Sequence, residues 1–154
     1  MTNIAVIGAG GRMGKALIET IAATDGVQLK GALENPQSSL IGVDAGELAG
    51  IGRNNIALVA SLQEIVGDFD ILIDFSIPSV TAANAAFCAA HGKKMVIGTT
   101  GLDQAQLQSV MQASHSNAVC MASNYATGVN LCFKLAELAA SVLGDEVDIE
   151  ISEA

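Results

Sequence analysis

The feature that most constrains the fold is a glycine cluster between a short apolar run and a helical stretch. Ile4–Ile7 reads as a strand. Gly8-Ala9-Gly10-Gly11-Arg12-Met13-Gly14 follows at once, and a helix is predicted from Arg12 to about Ala23. Each small residue has a physical use in such a place. Gly8 permits a tight turn, the residues through Gly11 let backbone approach a pyrophosphate, and Gly14 lets the helix lie close to the sheet. The helix N-terminus then offers unsatisfied N–H groups and partial positive charge to phosphates. The spacing is Gly-x-x-Gly-x-x-Gly overlaid on Gly8-x-Gly10, and glycine-rich turns also arise for purely structural reasons.

Glu34 sharpens the reading. It ends the second predicted strand, Val27–Leu33, 20 residues beyond Gly14. That is the separation at which a carboxylate accepts hydrogen bonds from an adenosine ribose. An ordinary solvated strand-end Glu is the alternative. Arg12 is placed to meet a phosphate or to point into solvent. Asn35 is neutral where an Arg would welcome a 2′-phosphate, which favours NADH or dual use of NADH and NADPH. No Walker lysine follows the glycines, so a nucleotide-hydrolysing loop is disfavoured.

The rest of the chain alternates in the same manner. Strands are predicted at Ile56–Ala60, Asp70–Phe75, Lys94–Ile97 and Ala118–Met121. Asn35–Asn55 carries a weak helical signal and reads as mostly loop, and Ser61–Glu64 carries a capping-box pattern that opens a short helix. A helix with Pro78 in its first turn stops before Gly92. Another runs from Asp103 to about Ser114. Alternation at this spacing predicts an α/β fold, a Rossmann-type doubly wound parallel sheet. Hydrophobic residues make up 51% of the chain with only 4 Phe and 1 Tyr, so the core must be mostly Ala, Ile, Leu and Val. That suits strands buried on both faces. After Asn124 the pattern changes to a long amphipathic helix at Val129–Leu143, stopped by Gly144, and a strand beginning at Asp148–Ser152. The expected organisation is a dinucleotide-binding domain over residues 1–125 and the beginning of a second α+β domain over 126–154.

In open α/β sheets ligands lie beyond the carboxyl ends of the strands. Gly98-Thr99-Thr100 and Ala122-Ser123-Asn124-Tyr125 therefore qualify as walls for a nicotinamide ring, or as simple turns. His91 and His115 sit in the last turns of helices and read as structural termini. Asp74 reads as a turn-forming residue at a strand end. Cys88, Cys120 and Cys132 lack metal-ligand spacing and read as buried thiols of a reducing cytoplasm; no metal site is expected. The net charge of −9 disfavours nucleic acid and anionic membranes as partners. The absence of a leader or a long apolar run predicts a soluble, cytoplasmic protein.

Taken together these segments resemble the 4-hydroxy-tetrahydrodipicolinate reductase (dihydrodipicolinate reductase) family. The resemblance is carried by Gly8–Gly14, Asp44-Ala45-Gly46-Glu47, Ile73-Asp74-Phe75-Ser76, Gly98-Thr99-Thr100-Gly101, Ser123-Asn124-Tyr125 with Gly128-Val129-Asn130, and Ile149-Glu150-Ile151-Ser152-Glu153-Ala154. It implies a cofactor site of Gly8, Ala9, Gly10, Gly11, Arg12, Met13, Glu34, Asn35, Gly98, Thr99, Thr100, Ala122, Ser123, Asn124 and Tyr125, with Thr100 also touching substrate. It implies hydride transfer from NADH or NADPH to a small cyclic dicarboxylate in lysine and diaminopimelate biosynthesis, by a homotetramer. Asn35 stands where the family often has Arg, which argues against strict NADPH preference. The family's His-His-x-x-x-Lys type motif, source of the proton donor, is expected after Ala154, so no catalytic residue is assigned within the chain. The sequence thus reads as a truncated form that binds cofactor without turning over. A non-catalytic NAD(H)-sensing module and another Rossmann dehydrogenase, acting for instance on a semialdehyde, are the other readings.

Overall fold

The computed structural model describes residues 1–150 and Ser152. Six strands form one sheet in the order β3-β2-β1-β4-β5-β6, and every pairing is parallel. In chain order the elements are β1 (Thr2–Ile7), α1 (Arg12–Ala22), β2 (Val27–Leu33), α2 (Ala45–Ala49), β3 (Leu58–Val59), β4 (Ile71–Asp74), α3 (Pro78–Ala90), β5 (Lys94–Ile97), α4 (Gln104–Ser114), β6 (Val119–Met121) and α5 (Thr127–Leu143). The chain divides into two units, Met1–Ser123 and Asn124–Ala154.

Alternating side chains send each strand's residues to opposite faces. Ala5, Leu33, Leu72, Met95 and Ile97 pack with the Phe69 loop, α3 and α4 on one face. Ile4, Val6 and Ala32 pack with α1 and α2 on the other. This two-sided burial is why apolar runs without polar alternation mark the strands in the sequence. Pro78 occupies the first turn of α3, and Gly92 follows its cap with φ +64°. Asp103 and Gln106 form a reciprocal capping box on α4. Ser61 and Glu64 do the same for a single 3₁₀ turn, Leu62–Glu64.

Two expectations need correction, and one is made specific. The Ile56–Ala60 strand shrinks to Leu58–Val59 because the preceding backbone is used on its other side: Ala45 N donates to Ile56 O at 2.8 Å and Leu58 N to Val43 O at 2.9 Å. The weak helical signal within 35–55 resolves to the single short helix α2, which Asp44 nucleates. Its carboxylate accepts from the backbone N–H groups of Gly46, Glu47, Asn54 and Asn55. Burial pushes that carboxyl up, but the four donors outweigh it and hold it below its ordinary value. Asp148–Glu150 form no strand; of the rest of that expectation and of the terminal motif, only Ser152 is among the described residues, and Ile151, Glu153 and Ala154 lie outside them.

The second unit is α5 with a short 3₁₀ turn at Gly144–Glu146. Among the described residues of that unit nothing covers the stripe of Leu131, Leu135, Leu138 and Val142, and all four are exposed. Among the described residues no helix is long and apolar enough to cross a membrane.

Candidate dinucleotide site

The chain leaves β1 through Gly8, whose φ of +77° is open to glycine at little cost. Gly8 N and Ala9 N both donate to Leu33 O at 3.0 Å, pinning the loop to the tip of β2. Gly11 N closes the turn onto Gly8 O at 3.0 Å. Gly14 is buried beneath it; a Cβ there would lie 2.6 Å from Ala9 Cα and closer still to Gly8 O. The loop and the start of α1 are therefore in backbone contact, as close helix–sheet packing requires. Gly11 caps α1 without a side-chain hydrogen bond, and no acidic residue lies in the first turn. The first-turn amides are thus left to an external anion. Arg12 and Met13 are exposed beside them.

Glu34 is brought to this mouth by β2. Its Oε2 accepts from Gly10 N at 2.9 Å and its Oε1 from Asn35 N at 2.9 Å. Asn35 Oδ1 accepts from Gln37 N at 2.9 Å, which ties its side-chain oxygen into a turn. A cleft of about 700 Å³ opens here, lined among others by Gly8, Gly11, Glu34, Asn35, Phe75 and Ser76. That volume is in the usual range for small-molecule sites.

The strand order sets out the remaining candidates along one edge. The tips of β2, β1, β4, β5 and β6 carry residues 34–35, 8–11, 75–76, 98–100 and 122–123 in that spatial succession. At about 4.8 Å between strands, the row spans roughly 19 Å. Gly98 N donates to Asp74 O at 2.9 Å and Ala122 N to Ile97 O at 3.2 Å, so adjacent tips are stitched together. Thr100 is exposed and Ser123 is exposed, whereas Thr99 is buried. Asn124 and Tyr125 belong to the second unit. There Asn124 Oδ1 accepts from Ala126 N at 2.8 Å, and Asn130 Nδ2 donates to Asn124 O at 3.1 Å, fixing the entry to α5.

Asp74 is more than a turn residue. It is fully buried, and its Oδ1 accepts from Ser76 N at 2.9 Å, Ser76 Oγ at 2.5 Å and Thr99 Oγ1 at 3.3 Å. Its Oδ2 accepts from Asn84 Nδ2 at 3.1 Å. Ser76 enters the sequence reading only as part of a family motif, and Thr81 and Asn84 not at all. The available signal was Thr81 and Asn84 standing on the same helical stripe as buried Ala85 and Cys88.

His91 and His115 each place Nδ1 against the carbonyl four residues earlier, Phe87 O at 2.9 Å and Met111 O at 2.8 Å, and so finish α3 and α4. The thiols differ from expectation. Cys88 is buried, but Cys120 lies on edge strand β6 and Cys132 on uncovered α5, and both are exposed. Burial, with the charge of Asp74 nearby, pushes the Cys88 thiol up to about 12. Among the described residues no His, Cys, Asp and Glu side chains cluster so as to hold a metal ion.

Sheet order, glycine loop and strand-tip carboxylate together define a Rossmann-type fold. Residues 2–125 match the family model described as dihydrodipicolinate reductase, N-terminus. The chain belongs to the dihydrodipicolinate reductase family. It is 52% identical over 153 residues to the 4-hydroxy-tetrahydrodipicolinate reductase of Saccharophagus degradans, covering 99% of this chain and 57% of that protein. The chain thus spans little more than half the length of that relative. The dipicolinate-bound dihydrodipicolinate reductase of Paenisporosarcina sp. TG-14 superposes with a TM-score of 0.74 at 24% identity, over 92% of this chain and 54% of that one. GenD2 from gentamicin A biosynthesis, in complex with NAD, superposes with a TM-score of 0.69 at 20% identity, over 93% and 40%. At these identities the two structures speak for the fold.

Proposed function

We propose that the protein is an NAD(P)H-dependent reductase of lysine and diaminopimelate biosynthesis, acting on 4-hydroxy-tetrahydrodipicolinate to give tetrahydrodipicolinate. Family membership and 52% identity to a relative of that name support the reaction. The observation that carries the cofactor half is Glu34 held 2.9 Å from Gly10 N at the uncapped mouth of α1. Residues 1–125 are the dinucleotide-binding domain, and 126–154 begin the substrate and tetramerisation domain of a cytoplasmic homotetramer.

Each group has a defined task. The glycine loop brings backbone close to the diphosphate, and the uncapped amides of the first turn of α1 face it. Glu34 takes the adenosine ribose, with neutral Asn35 admitting NADH and leaving NADPH without a countercharge at that position. Thr100 faces the substrate from the tip of β5, and the backbone of residues 98–100 with Ala122 and Ser123 walls the nicotinamide, which supplies the reducing hydride when bound. Asn124 and Tyr125 are assigned to the cofactor by the family resemblance alone. The imidazoles of His91 and His115 are engaged at helix ends. The family resemblance assigns the proton donor to a His-His-x-x-x-Lys type motif in the part of the family's length that this chain does not span.

Titration with NADH and NADPH, followed by nicotinamide fluorescence, tests the cofactor half. Saturable binding with NADH at least as tight as NADPH is expected; absence of binding for both sinks the proposal.

A further inference from the structure

The hydroxyl groups around Asp74 form a directed chain. Thr81 Oγ1 donates to Thr99 Oγ1 at 2.8 Å, Thr99 Oγ1 donates to Asp74 Oδ1 at 3.3 Å, and Ser76 Oγ donates to the same oxygen at 2.5 Å. Thr99 Oγ1 also accepts from Ser76 N at 3.1 Å. The shortest donations run toward one carboxylate, with longer contacts of 3.5 Å from Thr99 Oγ1 to Asp74 O and between Ser76 Oγ and Thr81 Oγ1, and no buried side-chain polar atom among the described residues is left over. Thr81 and Asp74 are fully buried, and Thr99 is nearly so. Such a network specifies geometry more than it adds stability, because any rearrangement strands a buried donor.

Its members belong to two loops that reach different parts of the strand-tip row. Ser76 lines the cleft beside Glu34, and Thr99 lies in the turn at the tip of β5. The neighbouring Gly98 is held too, because the Phe75 ring fills the space a Cβ would need. With Gly98 pressed on Phe75 and Thr99 drawn inward, Thr100 is left on the outside.

We infer that Thr99 is a positioning residue rather than a cofactor contact: through Asp74 and Ser76 it fixes the 98–100 backbone relative to the adenosine cleft and thereby sets the orientation of the nicotinamide. This rests on the functional reading above. Thr99→Val keeps the shape and removes the hydroxyl. ADP-ribose carries the adenosine and both phosphates but no nicotinamide, so it separates the two halves of the site.

By calorimetry, Thr99→Val should weaken NADH by about tenfold and leave ADP-ribose within about twofold of wild type. The nicotinamide emission change on binding should shrink in the same variant, and Thr99→Ser should restore both. Thr81→Val, which removes the donor to Thr99, should show the same split at a smaller size and is read if Thr99→Val does not fold. Unchanged NADH binding in both valine variants, or equal losses for NADH and ADP-ribose, overturns the inference while the functional reading stands. A wild-type chain that binds neither NADH nor NADPH overturns both.

Discussion

Replacing Gly10 by Ala separates the demands of folding from those of binding. Gly10 has no positive φ, so Ala can adopt its backbone, and the unfolded chain loses some freedom in return. The added Cβ would lie 2.6 Å from Leu40 Cδ1 and 2.8 Å from Glu34 Oε2. Ordinary carbon contacts begin near 3.5 Å, so each must withdraw by roughly 0.7–0.9 Å. Both are the far ends of flexible side chains beside a partly open loop, and the fold should change by less than about 1 kcal/mol. Glu34, however, can no longer accept from Gly10 N while aimed at the mouth of α1. The displaced carboxylate then also loses its hydrogen bond from the ribose, and a hydrogen bond to a charged group contributes about 1.5–3 kcal/mol, which is roughly 10- to 150-fold in Kd. NADH titration of Gly10→Ala should show that loss, with urea unfolding near wild type. Gly14→Ala is the internal contrast. Its Cβ would meet Ala9 Cα at 2.6 Å and other backbone atoms that cannot swing aside, so about 1–3 kcal/mol of overpacking should appear in unfolding. A folded Gly10→Ala that binds NADH within twofold of wild type would refute the placement of Glu34 at the ribose.

The remaining expectations concern the scaffold. The folded carboxyl of Asp44 lies below its ordinary 3.8, so it contributes stability above that pH and loses it as pH falls through the folded value. Asp44→Asn should therefore flatten the acid limb of Tm against pH; an unchanged limb contradicts the four-donor account. Native protein should present Cys120 and Cys132 to a thiol reagent within minutes and withhold Cys88, buried and pushed up to about 12, until denaturant is added. Three equally fast thiols would contradict the packing of α3. Limited proteolysis should cut first within residues 124–150, since α5 buries nothing and the core clusters all lie before it. Mass spectrometry showing first cuts inside 1–119 would contradict that order.

The sheet was legible because its information is local. A strand buried on both faces, a glycine turn and a strand-end Glu at a fixed separation are all visible without knowing what packs on what. The sequence also carried helix starts at Pro78 and Asp103 and a stop at Gly92, where one residue's own chemistry decides. What escaped depends on distant partners. Asp74 looks like any strand-end Asp until Thr99, 25 residues later, and Asn84 close on it. Ile56 and Ala57 have the composition of a strand, but residues 43–45 compete for their backbone. Cys120 and Cys132 are apolar enough for a core; only strand order reveals that β6 is an edge.

The same distinction explains why the glycine loop and Glu34 are more informative together than apart. A carboxylate has about four acceptor positions, and backbone N–H groups at Gly10 and Asn35 occupy one on each oxygen. Those two bonds fix the orientation of Glu34 and leave a lone pair on each oxygen for the hydroxyls of a ribose. The group is thus oriented before any ligand arrives, which lowers the ordering cost of binding. A solvated strand-end Glu would carry no such bonds to a loop 24 residues away in sequence. The glycines matter to this as much as the carboxylate does, since a side chain at Gly10 would occupy the space through which Glu34 reaches the loop.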